Sequence, residues 1–253
     1  MFGFIVTTHY NNYEIIKKCL DLLFECISLN LSYIVLYVNE TTCSQILTIK
    51  DYYLKKIPLL NFEVIYIDNQ SKNGGLTGTW NQGIDYLLNI PFVNCKVITI
   101  LGHDTFVNKD IKYLLESAIE AENNKDLKYF GPLFKNYLGK DDELWQDELY
   151  YMNYINNESN ESNTSNESNE SNESNESIDI VVPSTFLIGS IFTFPVHSLI
   201  ENKLNINMYF NSNHYPFGYN DIDWYNRFLK IGGKPIIVKQ CIIDHEYKRT
   251  WFR

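Results

Sequence analysis

KVITILGHD, residues 96–104, is the stretch on which the fold turns. It is an apolar, β-branched run of strand length that ends in a carboxylate, Asp104. A strand buried on both faces reads this way, because no position alternates toward solvent. The sequence before it has the same character. GFIVTT (3–8), YIVLYVNETT (33–42) and FEVIYID (62–68) are also apolar runs of strand length. Between them, NNYEIIKKCLDLLFECI (11–27), SQILTIKDYYLKKI (44–57) and WNQGIDYLLN (80–89) carry helical spacing. Strands that alternate with helices predict an α/β domain with a mostly parallel central sheet flanked by helices. Ligands of such sheets bind beyond the carboxyl ends of the strands. The loops to search are therefore 9–12, 39–42, 68–78 and 102–105.

Downstream, residues 157–177 are seven triplets, six NES and one NTS, with no apolar side chain from which a core could form. They read as a disordered surface insertion. Core-forming sequence resumes with IVVPSTFLIGSIFTFPVHSLI (180–200). FGYNDIDWYNRFLKIGG (217–233) then reads as a helix closed by glycine, and KPIIVKQCIIDHEYK (234–248) as a last strand with a polar tail.

A chain of 253 residues can bury one large core, so a single domain spanning 1–253 is expected. The net charge of −10, with no basic stripe, speaks against nucleic-acid binding but is compatible with a small anion held through a metal. Five cysteines (Cys19, Cys26, Cys43, Cys95, Cys241) form no CxxC pair and read as reduced thiols. No leader-like segment opens the sequence and no apolar run is long enough to span a bilayer. These features predict a soluble, cytoplasmic protein and leave peripheral membrane attachment open.

Several side chains carry chemistry, and each also has an ordinary structural reading. Asp104 at the mouth of a parallel sheet is placed to meet a hard cation, although a strand-end Asp is also a common turn or cap residue. Asp221 and Asp223 open the helix of YNDIDWYNRF, where the helix dipole alone favours carboxylates. Since Asn220 suffices as a cap, two further acids suggest one aimed into a cleft. His245 follows the last strand, and Lys248 and Arg249 after it can reach a diphosphate. The glycine-rich turn SKNGGLTGTWNQG (71–83) is neither a P-loop nor a dinucleotide fingerprint.

In their order along the chain these pieces resemble the family-two glycosyltransferases, especially the rhamnosyltransferase-like members. The matching elements are IVTTHYNN (5–12), NGGLTGTWNQG (73–83), LGHD (101–104), FLIGSIF (186–192), NDIDWYNR (220–227) and IIDH (242–245). Only the NES insertion, 155–178, falls outside the likeness. The pattern departs in three places. VNETT stands where an Asp often contacts the nucleoside, Gly102 replaces the first acid of the DxD-like triplet, and Asn220 replaces the acid before the catalytic Asp.

The resemblance implies a GT-A fold, with residues 1–110 as the nucleotide-binding half and 179–253 as the acceptor and catalytic half. It implies transfer of a hexosyl or deoxyhexosyl group, with inversion, from a nucleoside-diphosphate sugar of the UDP, dTDP or GDP type to a hydroxyl on a glycan or other acceptor. Asp221 would be the base, and Asp104 with His245 would hold Mn2+ or Mg2+. On the nucleotide side, Tyr10 would stack on the base and Asn39 or Glu40 would hydrogen-bond it. Asn73 and Gly74 would approach the ribose or phosphates, with Thr8, Asn81, His103 and Lys248 contributing. Asp223 and Trp224 would face the acceptor. Two competing readings are a nucleotidyltransferase, against which TTHYNN lacks the usual Gly-rich basic loop, and a non-catalytic protein that binds sugar nucleotides or carbohydrate.

Overall fold

The computed structural model describes residues 1–8, 13–39, 44–67, 75–91, 93–135, 180–181, 187, 190–216 and 219–245. The NES repeat lies outside them. The chain forms β1 (Phe2–Thr8), α1 (Tyr13–Cys26), β2 (Ser32–Asn39), α2 (Ser44–Leu47), α3 (Ile49–Lys56), β3 (Phe62–Ile67), α4 (Gly75–Asn89) and β4 (Val97–Gly102). It continues with β5 (Thr105–Phe106), α5 (Ile111–Asn124), β6 (Lys128–Lys135), β7 (Ile180–Val181), β8 (Ile191–Pro195), α6 (Val196–Lys203), α7 (Asn220–Lys230) and β9 (Lys234–His245).

All the strands belong to one sheet, ordered β3-β2-β1-β4-β8-β6-β9-β5, with β7 paired on β9. The first four strands read from the sequence form its parallel half, with β1 between β2 and β4. Beyond β4 the sheet is mixed: β8 is antiparallel to β4 and β6, and β9 runs parallel to β6. β5 and β7 both run antiparallel to β9, so six strands share one direction against three.

Alternate residues of each strand serve opposite cores, as the two-residue period of a strand requires. Phe4, Val6, Ile34 and Leu36 join a core with α1, α3 and α5 residues such as Leu20, Tyr53 and Leu114. Ile5, Val35 and Tyr37 face the other side, with Trp80, Ile84 and Leu87 of α4 and Trp224 and Phe228 of α7. This second core is dominated by rings: Trp224 lies 4.8 Å from Phe210 and 4.9 Å from Phe194 between centroids. Gly83 lets α4 settle on β1, since a Cβ there would stand 2.8 Å from Ile5 Cγ2.

Two local departures from the sequence reading have clear causes. The single helix expected over 44–57 is split at Thr48, whose hydroxyl donates to the Gln45 carbonyl at 3.0 Å and so competes with helical continuation. In β9, Pro132 pairs with Val238 but the next residue, Leu133, pairs with Ile242. Lys239, Gln240 and Cys241 therefore form a bulge opposite a proline that has no amide to give to the ladder.

Candidate active site

The carboxyl ends of β1, β2, β3 and β4 lie side by side, because Thr8 is in register with Val38, Asn39 with Ile67, and Thr7 with Gly102. Thr8 is buried at this mouth and Asn39 closes β2. Tyr10, Glu40, Asn73, Gly74 and Lys248, expected around the nucleotide, lie outside the described residues.

The turn after β4 is fixed from several sides. The Gly102 amide donates to the Ser190 carbonyl at 3.0 Å, the Thr105 hydroxyl donates to the same carbonyl at 3.1 Å, and the His103 amide donates to Thr7 at 3.0 Å. The Cys19 thiol reaches the Thr105 carbonyl from α1 at 3.4 Å. Burial, and then the charge of Asp104, push that thiol well above its ordinary range, so it is no nucleophile.

β9 supplies the other side of the site. Thr105 pairs with His245 across the β5–β9 ladder, which sets His245 Nε2 3.8 Å from Asp104 Oδ1. The imidazole rests edge-on against Phe134, with ring centroids 5.7 Å apart. Burial lowers the pKa of His245 and Asp104 opposes that shift; the nearby His103 adds to it. Burial lowers that of His103 too, against Asp104 and a hydrogen bond to Thr7. Neutral imidazoles beside one carboxylate are the protonation state a divalent cation requires.

The donor set fits such a cation: a carboxylate oxygen and an imidazole nitrogen, close enough to share one ion, at a sheet mouth. Among the described residues no group of three His, Cys, Asp or Glu side chains converges on a metal position.

The acidic helix is α7. Asp221 is partly exposed; its Oδ1 accepts the Ile222 amide at 2.9 Å, and its own amide donates to Asn220 Oδ1 at 2.9 Å.

The structure gives three of the expected residues partners within the fold. Asp223 Oδ2 accepts Arg227 Nε at 2.8 Å, and Arg227 in turn donates to the Tyr209 carbonyl at 2.9 Å. Its carboxylate, through Arg227, anchors α7 to the 202–209 segment. Trp224 is 0% exposed, because Asn220, Trp224, Arg227 and Phe228 form the inward stripe of α7. Asn81 Nδ2 donates to the Phe210 carbonyl and its Oδ1 accepts the Phe210 amide, both at 2.8 Å.

Tyr219, directly before Asn220, is an exposed aromatic, 71% accessible, with φ of 57°. The sequence signal for it was the Gly-Tyr-Asn turn ahead of the acids. A bulky residue in left-handed backbone is strained and marks a position held by its surroundings.

The sequence matches no family model and no curated protein. Solved structures resemble the chain along nearly its whole length. The structure of GalNAc-T7 with UDP, GalNAc and Mn2+ has a TM-score of 0.64 at 11% identity, covering 97% of this chain and 44% of that one. The mannosyltransferase PcManGT from Pyrobaculum calidifontis, in complex with GDP-Man and Mn2+, gives 0.62 at 10% identity, covering 99% and 58%. TarS 1-349 of S. aureus gives 0.60 at 10% identity, covering 97% and 60%. The chain thus spans about half the length of these proteins. At this identity the likeness is one of fold: the parallel β3-β2-β1-β4 half and its mixed continuation make up the GT-A fold of these glycosyltransferase structures.

Proposed function

We propose that the protein is a metal-assisted inverting glycosyltransferase that moves a hexosyl or deoxyhexosyl group from a nucleoside-diphosphate sugar to a hydroxyl acceptor. The observation that carries this reading is the Asp104–His245 pair, 3.8 Å apart at the carboxyl end of the parallel half. Two structures that share the fold were obtained with Mn2+ and a nucleotide or nucleotide sugar, UDP in one and GDP-Man in the other. Mn2+ or Mg2+ held by Asp104 and His245 would neutralise charge on the diphosphate leaving group.

Direct displacement at the anomeric carbon asks two further things of the chain. A base must accept the proton of the attacking hydroxyl, and the acceptor must be held on the open side of the site. Asp221 is the base in this reading. It is partly exposed, and a carboxylate suits the role when it is ionised and within hydrogen-bond reach. Tyr219 presents an exposed ring beside it for the acceptor. Thr8 and the buried His103 close the donor side, and Asn39, Glu40, Tyr10, Asn73, Gly74 and Lys248 complete the nucleotide contacts.

A second reading, a protein that binds sugar nucleotides without transferring them, draws on Gly102 where the related pattern has an acid. Release of free nucleoside diphosphate from a panel of UDP, dTDP and GDP sugars, with and without Mn2+ and with simple glycoside acceptors, separates the two. Metal-stimulated release supports transfer, and tight binding without release supports the second reading.

A further inference from the structure

Thr77 lies in the first turn of α4, is completely buried, and commits both its amide and its hydroxyl to the segment leading into α7. Its amide donates to the Pro216 carbonyl at 3.0 Å. Its hydroxyl donates to the Tyr215 carbonyl at 2.6 Å and accepts Asn220 Nδ2 at 2.8 Å. The other atom of that buried side-chain amide, Asn220 Oδ1, accepts the amide of Asp221 at 2.9 Å. A continuous hydrogen-bonded path therefore runs from the start of α4 to the backbone of Asp221, between residues 143 apart in sequence.

The path has one sense. A hydroxyl has a single proton, and here it goes to Tyr215, so only a donor can meet Thr77 from the other side. That requirement turns Nδ2 of Asn220 toward Thr77 and Oδ1 toward Asp221. The same contacts bracket Tyr219, whose left-handed backbone persists only where neighbours over-determine it. Asn81, one turn further along α4, holds Phe210 instead, so the connection to the start of α7 belongs to Thr77.

We infer that Thr77 is a positioning residue for Asp221, fixing the first turn of α7 and with it the direction from which the carboxylate meets the acceptor hydroxyl. The inference rests on the proposed role of Asp221 as base. Thr77 itself touches neither substrate.

Thr77→Val keeps the shape and removes the hydroxyl, whereas Thr77→Ser keeps the hydroxyl. Thr77→Val should lower kcat by about 10- to 100-fold, a large part of what general-base catalysis supplies, while UDP affinity and donor KM stay within about twofold. Thr77→Ser should restore turnover. The double variant Thr77→Val/Asp221→Asn should be no slower than Asp221→Asn alone, because a base that is gone cannot be misaligned. Losses that multiply in the double variant, or a fully active Thr77→Val beside an inactive Asp221→Asn, would overturn the positioning role and leave the base assignment standing. A fully active Asp221→Asn would overturn the base assignment and remove what Thr77 is said to position.

Two measurements guard against a variant that fails to fold or a donor that is not found. Asn220→Asp presents an oxygen to the Thr77 hydroxyl in place of the donor while retaining Oδ1 for Asp221, and should show the same loss of kcat. Amide hydrogen exchange over residues 220–224 needs no substrate, and in Thr77→Val it should quicken by about tenfold while the β1–β4 amides keep their protection. Unchanged exchange at the start of α7 would refute the path.

Discussion

Gly102 and Asp104 compete for one space: a Cβ built on Gly102 would stand 2.8 Å from Asp104 Oδ1. The glycine that looks, in the sequence, like a lost first acid is the residue that lets the remaining carboxylate fold back beside His245. Gly102→Ala and Gly102→Asp should therefore both displace Asp104. Calorimetry of UDP in the presence of Mn2+ should show weakening of about 10- to 100-fold, the usual effect of disturbing the support of a ligand. Tighter binding in Gly102→Asp would mean instead that the missing acid had simply been restored.

Asp104→Ala should abolish the difference between nucleoside-diphosphate affinities measured with and without Mn2+, while affinity without metal stays near that of the unaltered protein. A chain of net charge −10 has little to hold a diphosphate unaided, so the metal-dependent part should dominate. Equal affinity with and without metal in the unaltered protein would remove Asp104 from the site.

Asp221→Asn and Asp223→Asn should separate turnover from stability. The first should lower kcat by about 100- to 10,000-fold with little change in melting temperature. The second leaves the mostly buried Arg227 without its carboxylate and should cost roughly 1–3 kcal/mol of stability, with a smaller effect on kcat. Turnover kinetics and chemical denaturation of both variants provide the check. The reverse pattern would place the base two residues further along.

The α5–α6 junction sets an acid limit. Glu122 Oε2 accepts the His197 amide at 3.0 Å and lies 2.8 Å from His197 Nδ1, and Lys125 donates to Oε1. Burial alone would raise the Glu122 pKa, but these hydrogen bonds outweigh it and the net shift is downward from 4.5. The unfolded chain then takes up the proton more readily than the folded one. The contribution of Glu122 is therefore complete above the unfolded pKa and is lost as pH falls through the lower folded value. Glu122→Gln should be less stable at pH 7, and its melting temperature should fall less steeply than the parent's between about pH 5 and pH 3. Parallel acid limbs in a series of melting curves would contradict this.

The parallel half was legible because strands covered on both faces leave continuous apolar runs, as in residues 96–104. Where helix α7 begins was legible too, whereas the partners its side chains take within the fold were not. The spacing of Asn220, Trp224 and Phe228 already places Trp224 on an inward stripe, a sign that the attraction of an aromatic beside two acids obscured. For Asn81 no such sign exists. Its partner is the backbone of Phe210, 129 residues away, and a polar side chain does not reveal in sequence which distant carbonyl it satisfies. The meeting of Asp104 with His245 is equally non-local and was expected only from an order of elements that resembles the family-two glycosyltransferases.

The bulge of Lys239, Gln240 and Cys241 makes the end of β9 adjustable in whole residues. Beyond it, each residue gained or lost slides the strand by one step and turns every following side chain to the opposite face. A one-residue deletion would leave the β6–β9 ladder intact below Val238 while swinging His245 away from Asp104, and a two-residue deletion would restore the face at a different height. Loop length at this one point can thus switch an imidazole into or out of the sheet mouth without altering any residue that lines it.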